Sequence, residues 1–216
     1  MIKLENVVLA SPEQMNFIIE GMRNPMNSWN KSDSDTTKYD ERYDINFLLG
    51  KTDHSLMQRL SNAGTEHRKY MRMMPVYVRI TAPLYWWKEF DTYKVGTVAN
   101  SCSTMHKIAE KEFTLEDFST EHFRWISERC LKDTIDVLNG YRNDYIRTKD
   151  KDYWWQIIQL LPSSYNQTRN IMLNYEVLAN IYKSRKNHKL DEWVEFCKWI
   201  ESLPYSELII GEKRSR

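Results

Sequence analysis

Residues 161–185 read LPSSYNQTRNIMLNYEVLANIYKSR, a proline stop followed by a polar ladder of Thr168, Asn174, Asn180 and Arg185. Tyr175, Leu178, Ile181 and Tyr182 recur at helical spacing, so the second half predicts an amphipathic helix. Asn174 and Asn180 stand six apart, which does not place them on one face of a regular helix. Asn174 therefore falls at the helix start, where its amide is a candidate cap, and Asn180 projects from the body. Pro162 ends an apolar helix expected over Asp152 to Leu161, because proline cannot continue a helical ladder.

Working outward, Thr120 to Arg147 carries Phe123, Ile126, Cys130, Leu131, Ile135 and Leu138 at helical spacing, with Gly140 as a possible interruption. Downstream, Asp191-Glu192 opens a last helix with Trp193, Phe196, Cys197 and Ile200, closed by Pro204. The basic tail from Gly211 to Arg216 is expected to fray. Toward the N-terminus, Lys3 to Leu9 alternates like an edge strand, and Ser11-Pro12 starts a helix that Asn24-Pro25 stops. Asn27 to Asp44 is rich in Ser, Asp and Thr and predicts a flexible loop. Thr52-Asp53 is read as the cap of a short helix that stops at Gly64. Met74 to Thr81 is β-like and is closed by Ala82-Pro83, and Leu84 to Phe90 predicts a buried helix holding Trp86-Trp87. The small polar segment Thr97 to Ile108 contains Asn100-Ser101-Cys102-Ser103. No repeat and no Pro- or Gly-rich linker divides the chain. It reads as one α+β domain over residues 1–216, with more helix than sheet.

Composition narrows the chemistry. With 31 Lys+Arg against 30 Asp+Glu, no global field draws the chain to nucleic acid or an anionic membrane. No apolar run reaches the ~18 residues of a bilayer span, and Met1-Ile2-Lys3-Leu4-Glu5 has no signal-peptide core. Cys102, Cys130 and Cys197 are odd in number and scattered, which fits reduced cytoplasmic thiols. Neither a Cys-x-x-Cys pair nor a His cluster points to a metal. Gly is scarce at 6, and no Gly-x-Gly-x-x-Gly occurs, which argues against a Gly-rich dinucleotide fold.

Four segments in order resemble the flavin-dependent thymidylate synthase (ThyX) family. Asp53 to Leu60 with Gly64 and Glu66-His67 is similar to the stretch before the family's first core strand, and Val76 to Pro83 to that strand and its Ala-Pro exit. Asn100-Ser101-Cys102-Ser103 matches the Asn-x-x-Ser of the family signature, and Leu161 to Arg185 matches the late Leu-Pro, Thr, Asn, Leu, Asn, Arg ladder. The departures are specific. Phe90 to Val95 holds no arginine where the family has Arg-His-Arg, Met105-His106 replaces an Arg-Tyr, and Ile158 stands for an arginine before Leu-Pro. Glu176 replaces an arginine and Arg72 a glutamate, opposite changes that predict an Arg72–Glu176 pair.

The resemblance implies a small, mostly antiparallel sheet flanked by several long helices, and a homotetramer with sites assembled between subunits. It implies methylation of dUMP to dTMP, with FAD as cofactor and NADPH and methylenetetrahydrofolate as co-substrates. The flavin carries the hard chemistry, so the protein supplies charge and geometry. By position, Arg185 would meet the pyrimidine and steady its developing anion. Asn174, Asn180 and Asn100 would hold the flavin, and Ser103 and His106 would meet the substrate, with no metal ligand. Asn174, Asn180 and Arg185 would converge on one pocket. Each has a plainer reading: a surface ion pair for Arg185, helix caps for Ser103 and Asn174, a buried amide for Asn180, and a core or subunit contact for Trp86-Trp87. Cys102, without an adjacent cation, reads as a buried or half-buried inert thiol. The alternative for the whole chain is a catalytically degenerate flavin- or nucleotide-binding homo-oligomer of the same fold.

Overall fold

The computed structural model describes residues 1–211, so all but Gly211 of the expected basic tail lies outside the described residues. Four strands form one antiparallel sheet: β1 (Lys3–Leu9), β2 (Pro75–Pro83), β3 (Val98–Ser101) and β4 (Asn166–Asn174), in the order β1-β2-β4-β3. β1 sits on the edge, as its alternation predicts. β2 buries Val76, Val78, Ile80 and Ala82 and exposes Tyr77 and Arg79, the period-two pattern of a half-covered strand. β4 is absent from the sequence reading. Its Asn, Gln, Thr, Arg and Asn residues hide a strand that buries Gln167, Ile171 and Leu173. Eight α-helices accompany the sheet among the described residues: α1 (Pro12–Arg23), α2 (Lys51–Asn62), α3 (Leu84–Phe90), α4 (Trp125–Thr148), α5 (Lys151–Leu160), α6 (Tyr175–Arg185), α7 (Asp191–Ser202) and α8 (Glu207–Ile210).

The chain resolves into two compact units whose boundaries at Val78/Arg79 and Asn170/Ile171 fall inside β2 and β4, not in a linker. Unit 1 comprises residues 1–3, 79–92 and 100–170. Its helical half is an α4–α5 hairpin. Lys149, in the left-handed conformation, ends α4, and Asp150 accepts from Asp152 N to cap α5. Leu131, Ile135 and Leu138 of α4 pack with Ile157, Phe113 and Phe118. Gly140 does not interrupt α4, because the apolar stripe continues through it. Trp86, Trp87 and Phe90 form a second core in this unit, their ring centroids 4.9–5.4 Å apart, and Trp87 Nε1 donates to Gln167 O at 2.9 Å. The Trp pair is thus packing.

Unit 2 comprises, among the described residues, 4–78, 93–99 and 171–211. Ser11 and Gln14 close a reciprocal cap on α1, as the Ser-Pro start predicts. α6 packs on α7, on α8 and on the tight turn Lys69–Met73, burying Leu178, Ile181, Trp193, Phe196 and Ile200. Among the described residues the last helix is α8, not the one starting at Asp191.

The cap of α2 differs from expectation. Gly50, not Thr52-Asp53, is the N-cap. The free N–H groups of Thr52 and Asp53 donate to the Asp33 carboxylate at 2.9 and 3.1 Å. Asp53 is released to the interior, where it is wholly buried and paired with Arg23 at 2.6 Å. Ser32, Asp33 N and Ser34 all donate to its second oxygen. The segment 27–44, read as a flexible loop, is therefore tied at its middle to a buried carboxylate. Two bridges, Asp35–Leu48 and Asp40–Ile45, tie it further.

Candidate functional site

The polar ladder divides between the two units. In unit 2 the strand-to-helix junction fixes Asn174. Its backbone is still extended, and its Oδ1 accepts from Val177 N at 3.0 Å, so it caps α6. The loop 93–97 presses onto this junction. A Cβ at Gly96 would come within 3.1 Å of Asn174 Nδ2 and Val177 Cγ2, and its φ of +76° also favours glycine. Next in sequence, the Thr97 hydroxyl is buried and has no hydrogen-bond partner among the described residues.

In the first turn of α6, Glu176 is buried, and two arginines from the turn before β2 converge on it. Arg72 bonds it through Nε and Nη2, and Arg68 Nε donates at 3.2 Å. Arg68 Nη2 continues to Asn180 Oδ1 at 3.0 Å. The expected Arg72–Glu176 pair is present. Arg68 has no place in the sequence reading, although its i, i+4 spacing from Arg72 is visible there. Burial pushes the Glu176 pKa up, but the hydrogen bonds and charges of Arg72 and Arg68 outweigh it and hold the carboxyl below its ordinary range.

A folded-state pKa below the unfolded one contributes stability above the unfolded value, and that stability is lost as pH falls through the folded value. Glu176→Gln is thus expected to be less stable than the parent at neutral pH. The gap should narrow as pH drops below about 4.5. Urea midpoints between pH 7 and pH 3 measure it, and a gap independent of pH would contradict the assignment.

Arg185 stands at the far end of the helix, about 16 Å from Asn174 at ~1.5 Å per residue. Five residues from Asn180, it points about 140° away around the axis at ~100° per residue. It meets different partners. Its Nε donates to Tyr93 Oη at 2.9 Å, and its guanidinium lies 4.7 Å from the Trp193 ring centroid and 5.6 Å from that of Tyr93. Within one chain, Asn180 and Arg185 thus face apart, and the arginine is held on an aromatic shelf. Tyr93 lies in the segment Phe90 to Val95, which holds no arginine.

In unit 1, Asn100 lies near the end of β3 and is exposed. Ser103 Oγ accepts from Met105 N and His106 N at 3.3 and 2.9 Å, capping a turn and leaving its own proton to donate. His106 is exposed. Cys102 is exposed as well, not buried as expected, because its backbone is what ties it to β4, through Thr168 O and the Gln167 side chain. Arg169 Nε donates to Oε1 of the same Gln167 side chain at 2.9 Å. Arg169 is also engaged by Asp91 at 2.7 Å and by the Trp87 face at 4.2 Å. Among the described residues, no group of three or more His, Cys, Asp or Glu could hold a metal, and no helix is long and apolar enough to cross a membrane.

No family model matches the sequence, and no curated protein matches it. Solved structures do. A thymidylate synthase X from Helicobacter pylori with FAD and dUMP aligns over 96% of each chain, at TM-score 0.67 and 14% identity. A second structure of the Helicobacter pylori flavin-dependent enzyme with FAD and dUMP covers 96% of this chain and 95% of that one, at TM-score 0.64 and 14% identity. A UMP/dUMP methylase, PolB, from Streptomyces cacaoi bound with 5-Br dUMP covers 95% and 93%, at TM-score 0.59 and 11% identity. Through almost its whole length, this chain has the fold of the flavin-dependent thymidylate synthases.

Proposed function

We propose that the protein is a FAD-dependent enzyme of the thymidylate synthase type, methylating dUMP in the cytoplasm as a homotetramer. Methylenetetrahydrofolate and NADPH are its co-substrates. The observation that carries this reading is Arg185, kept on the last turn of α6 and held against Trp193 and Tyr93. A guanidinium fixed before the ligand arrives can stabilise the charge that develops on a pyrimidine without reorganising.

The orphaned hydroxyl of Thr97, next in sequence to the Gly96 that packs on Asn174, fits a cofactor with polar ring edges at that junction. Asn174 and Asn180 would hold the flavin there, and Asn100 is a third flavin-binding candidate. FAD would supply the redox and one-carbon chemistry. Ser103 donates to the substrate phosphate, and His106 takes part of the role of the arginine missing beside it.

A second reading, the binding protein without methyl transfer, has its own support. Glu176 neutralises one of two arginines at a position where the family carries another cation. Each charge-assisted hydrogen bond to the nucleotide is worth roughly 1.5–3 kcal/mol, so the absence of several together lowers affinity by powers of ten. Complementation of a thymidine-requiring strain, paired with dUMP turnover by the purified protein, separates the two. Growth and turnover support the enzyme. Flavin and dUMP binding without turnover supports the second reading.

A further inference from the structure

The contact between Arg68 and Asn180 has a chemical direction. Glu176 and Asn180 stand four residues apart, on one face of α6. A single guanidinium from the turn before β2 spans both. Arg68 Nε donates to Glu176 Oε1 at 3.2 Å, and Nη2 donates to Asn180 Oδ1 at 3.0 Å. Arginine only donates, so the atom that Asn180 turns toward it is the amide oxygen. The Glu176 carboxylate anchors Arg68 from the other side and is shared with Arg72. Turning the Asn180 amide over would set one N–H group against another.

The nitrogen of that amide remains. Asn180 is exposed, and its Nδ2 has no hydrogen-bond partner among the described residues. Asn174, at the head of the same helix, is arranged alike. Its Oδ1 accepts from Val177 N at 3.0 Å, and its nitrogen lies beside Gly96. Both amides therefore have their oxygens engaged within the chain and offer N–H groups only. Asparagine is one of the weaker helix formers, yet Asn180 sits in the middle of α6 with a guanidinium committed to orienting it. Neither is needed at an idle surface position.

We infer that Arg68 is a positioning residue of the flavin site: it holds the Asn180 oxygen inward, so that the amide meets the cofactor as a donor only. This rests on the proposed function, in which Asn180 holds FAD. The ring atom that answers the amide is then an acceptor, a carbonyl oxygen or an unprotonated nitrogen. Arg68 acts through Asn180, because an amide already turned to its ligand loses less rotamer freedom on binding.

Fluorescence titration of the full-length protein with FAD tests this. Asn180→Asp keeps the shape and the oxygen that Arg68 grips, but puts an acceptor where the N–H group stood. FAD affinity should fall about tenfold or more, since a hydrogen bond is lost and two acceptors are opposed. The melting temperature of the free protein should hold or rise, because Arg68 then grips a carboxylate. An amide that merely braces the helix would leave FAD binding unchanged. Arg68→Met keeps the apolar stem, leaves Arg72 on Glu176 and frees the amide to turn. It should weaken FAD binding about two- to tenfold, the range for one side chain ordered on binding. It should add nothing when Asn180 is already alanine. The inference is overturned if the parent retains FAD and Asn180→Asp retains it as tightly. It is overturned equally if Arg68→Met weakens binding to the same extent with and without the Asn180 side chain. A parent that binds no FAD overturns the proposed function, and this inference with it.

Discussion

Asp53→Ala is expected to destabilise the protein by about 3–5 kcal/mol, the cost of leaving one partner of a buried ion pair behind. Arg23, 2% exposed, would keep its charge with no carboxylate at 2.6 Å to meet it. Its bonds to Ser28 O and Lys31 O do not neutralise it. The hydroxyls and N–H groups of residues 32–34 that now end on Asp53 would lose their acceptor at the same time. The loss should therefore reach the 27–44 segment first, and hydrogen exchange there should rise more than in α4. Arg23→Met combined with Asp53→Leu should cost less than Asp53→Ala alone, since it removes the stranded charge. Urea unfolding followed by circular dichroism measures both variants against the parent. A cost under about 1 kcal/mol for Asp53→Ala would mean that the pair does not organise this half of unit 2.

Arg185→Ala should lower dUMP affinity by about 10–100-fold, one charge-assisted hydrogen bond at ~1.5–3 kcal/mol. Its effect on stability should be much smaller, of the order of the ~0.5–2 kcal/mol that cation–aromatic contacts contribute. Arg185→Lys should not rescue binding, because an ammonium neither stacks flat on Trp193 nor offers a planar pair of donors. Calorimetric titration with dUMP reads the change. Unchanged affinity would remove Arg185 from the substrate site and leave it as a brace between α6 and Tyr93.

Most helices are legible in the sequence because their signals are local: the Ser11 cap, the Leu131–Ile135–Leu138 stripe and the Pro162 stop. β4 is not, because its polar residues lack the alternation that marks a strand, though Ile171 and Leu173 are buried. Asp53 reads wrongly as a cap because the residue that serves the start of α2, Asp33, is twenty positions away. The Arg72–Glu176 pair is legible as two opposite departures from one family pattern. Arg68 and Tyr93 are not. A guanidinium bridging to an amide and a phenol under an arginine arise from tertiary contact and leave no periodic trace.

The measurement that bears most directly on the proposed function is the visible spectrum of the purified protein after incubation with FAD and removal of excess. The flavin bands should remain with the protein and shift when dUMP is added, and the dUMP shift should be absent in Arg185→Ala. A colourless protein that retains no FAD and leaves dUMP free would contradict the proposed function, leaving a thymidylate synthase fold without its ligands.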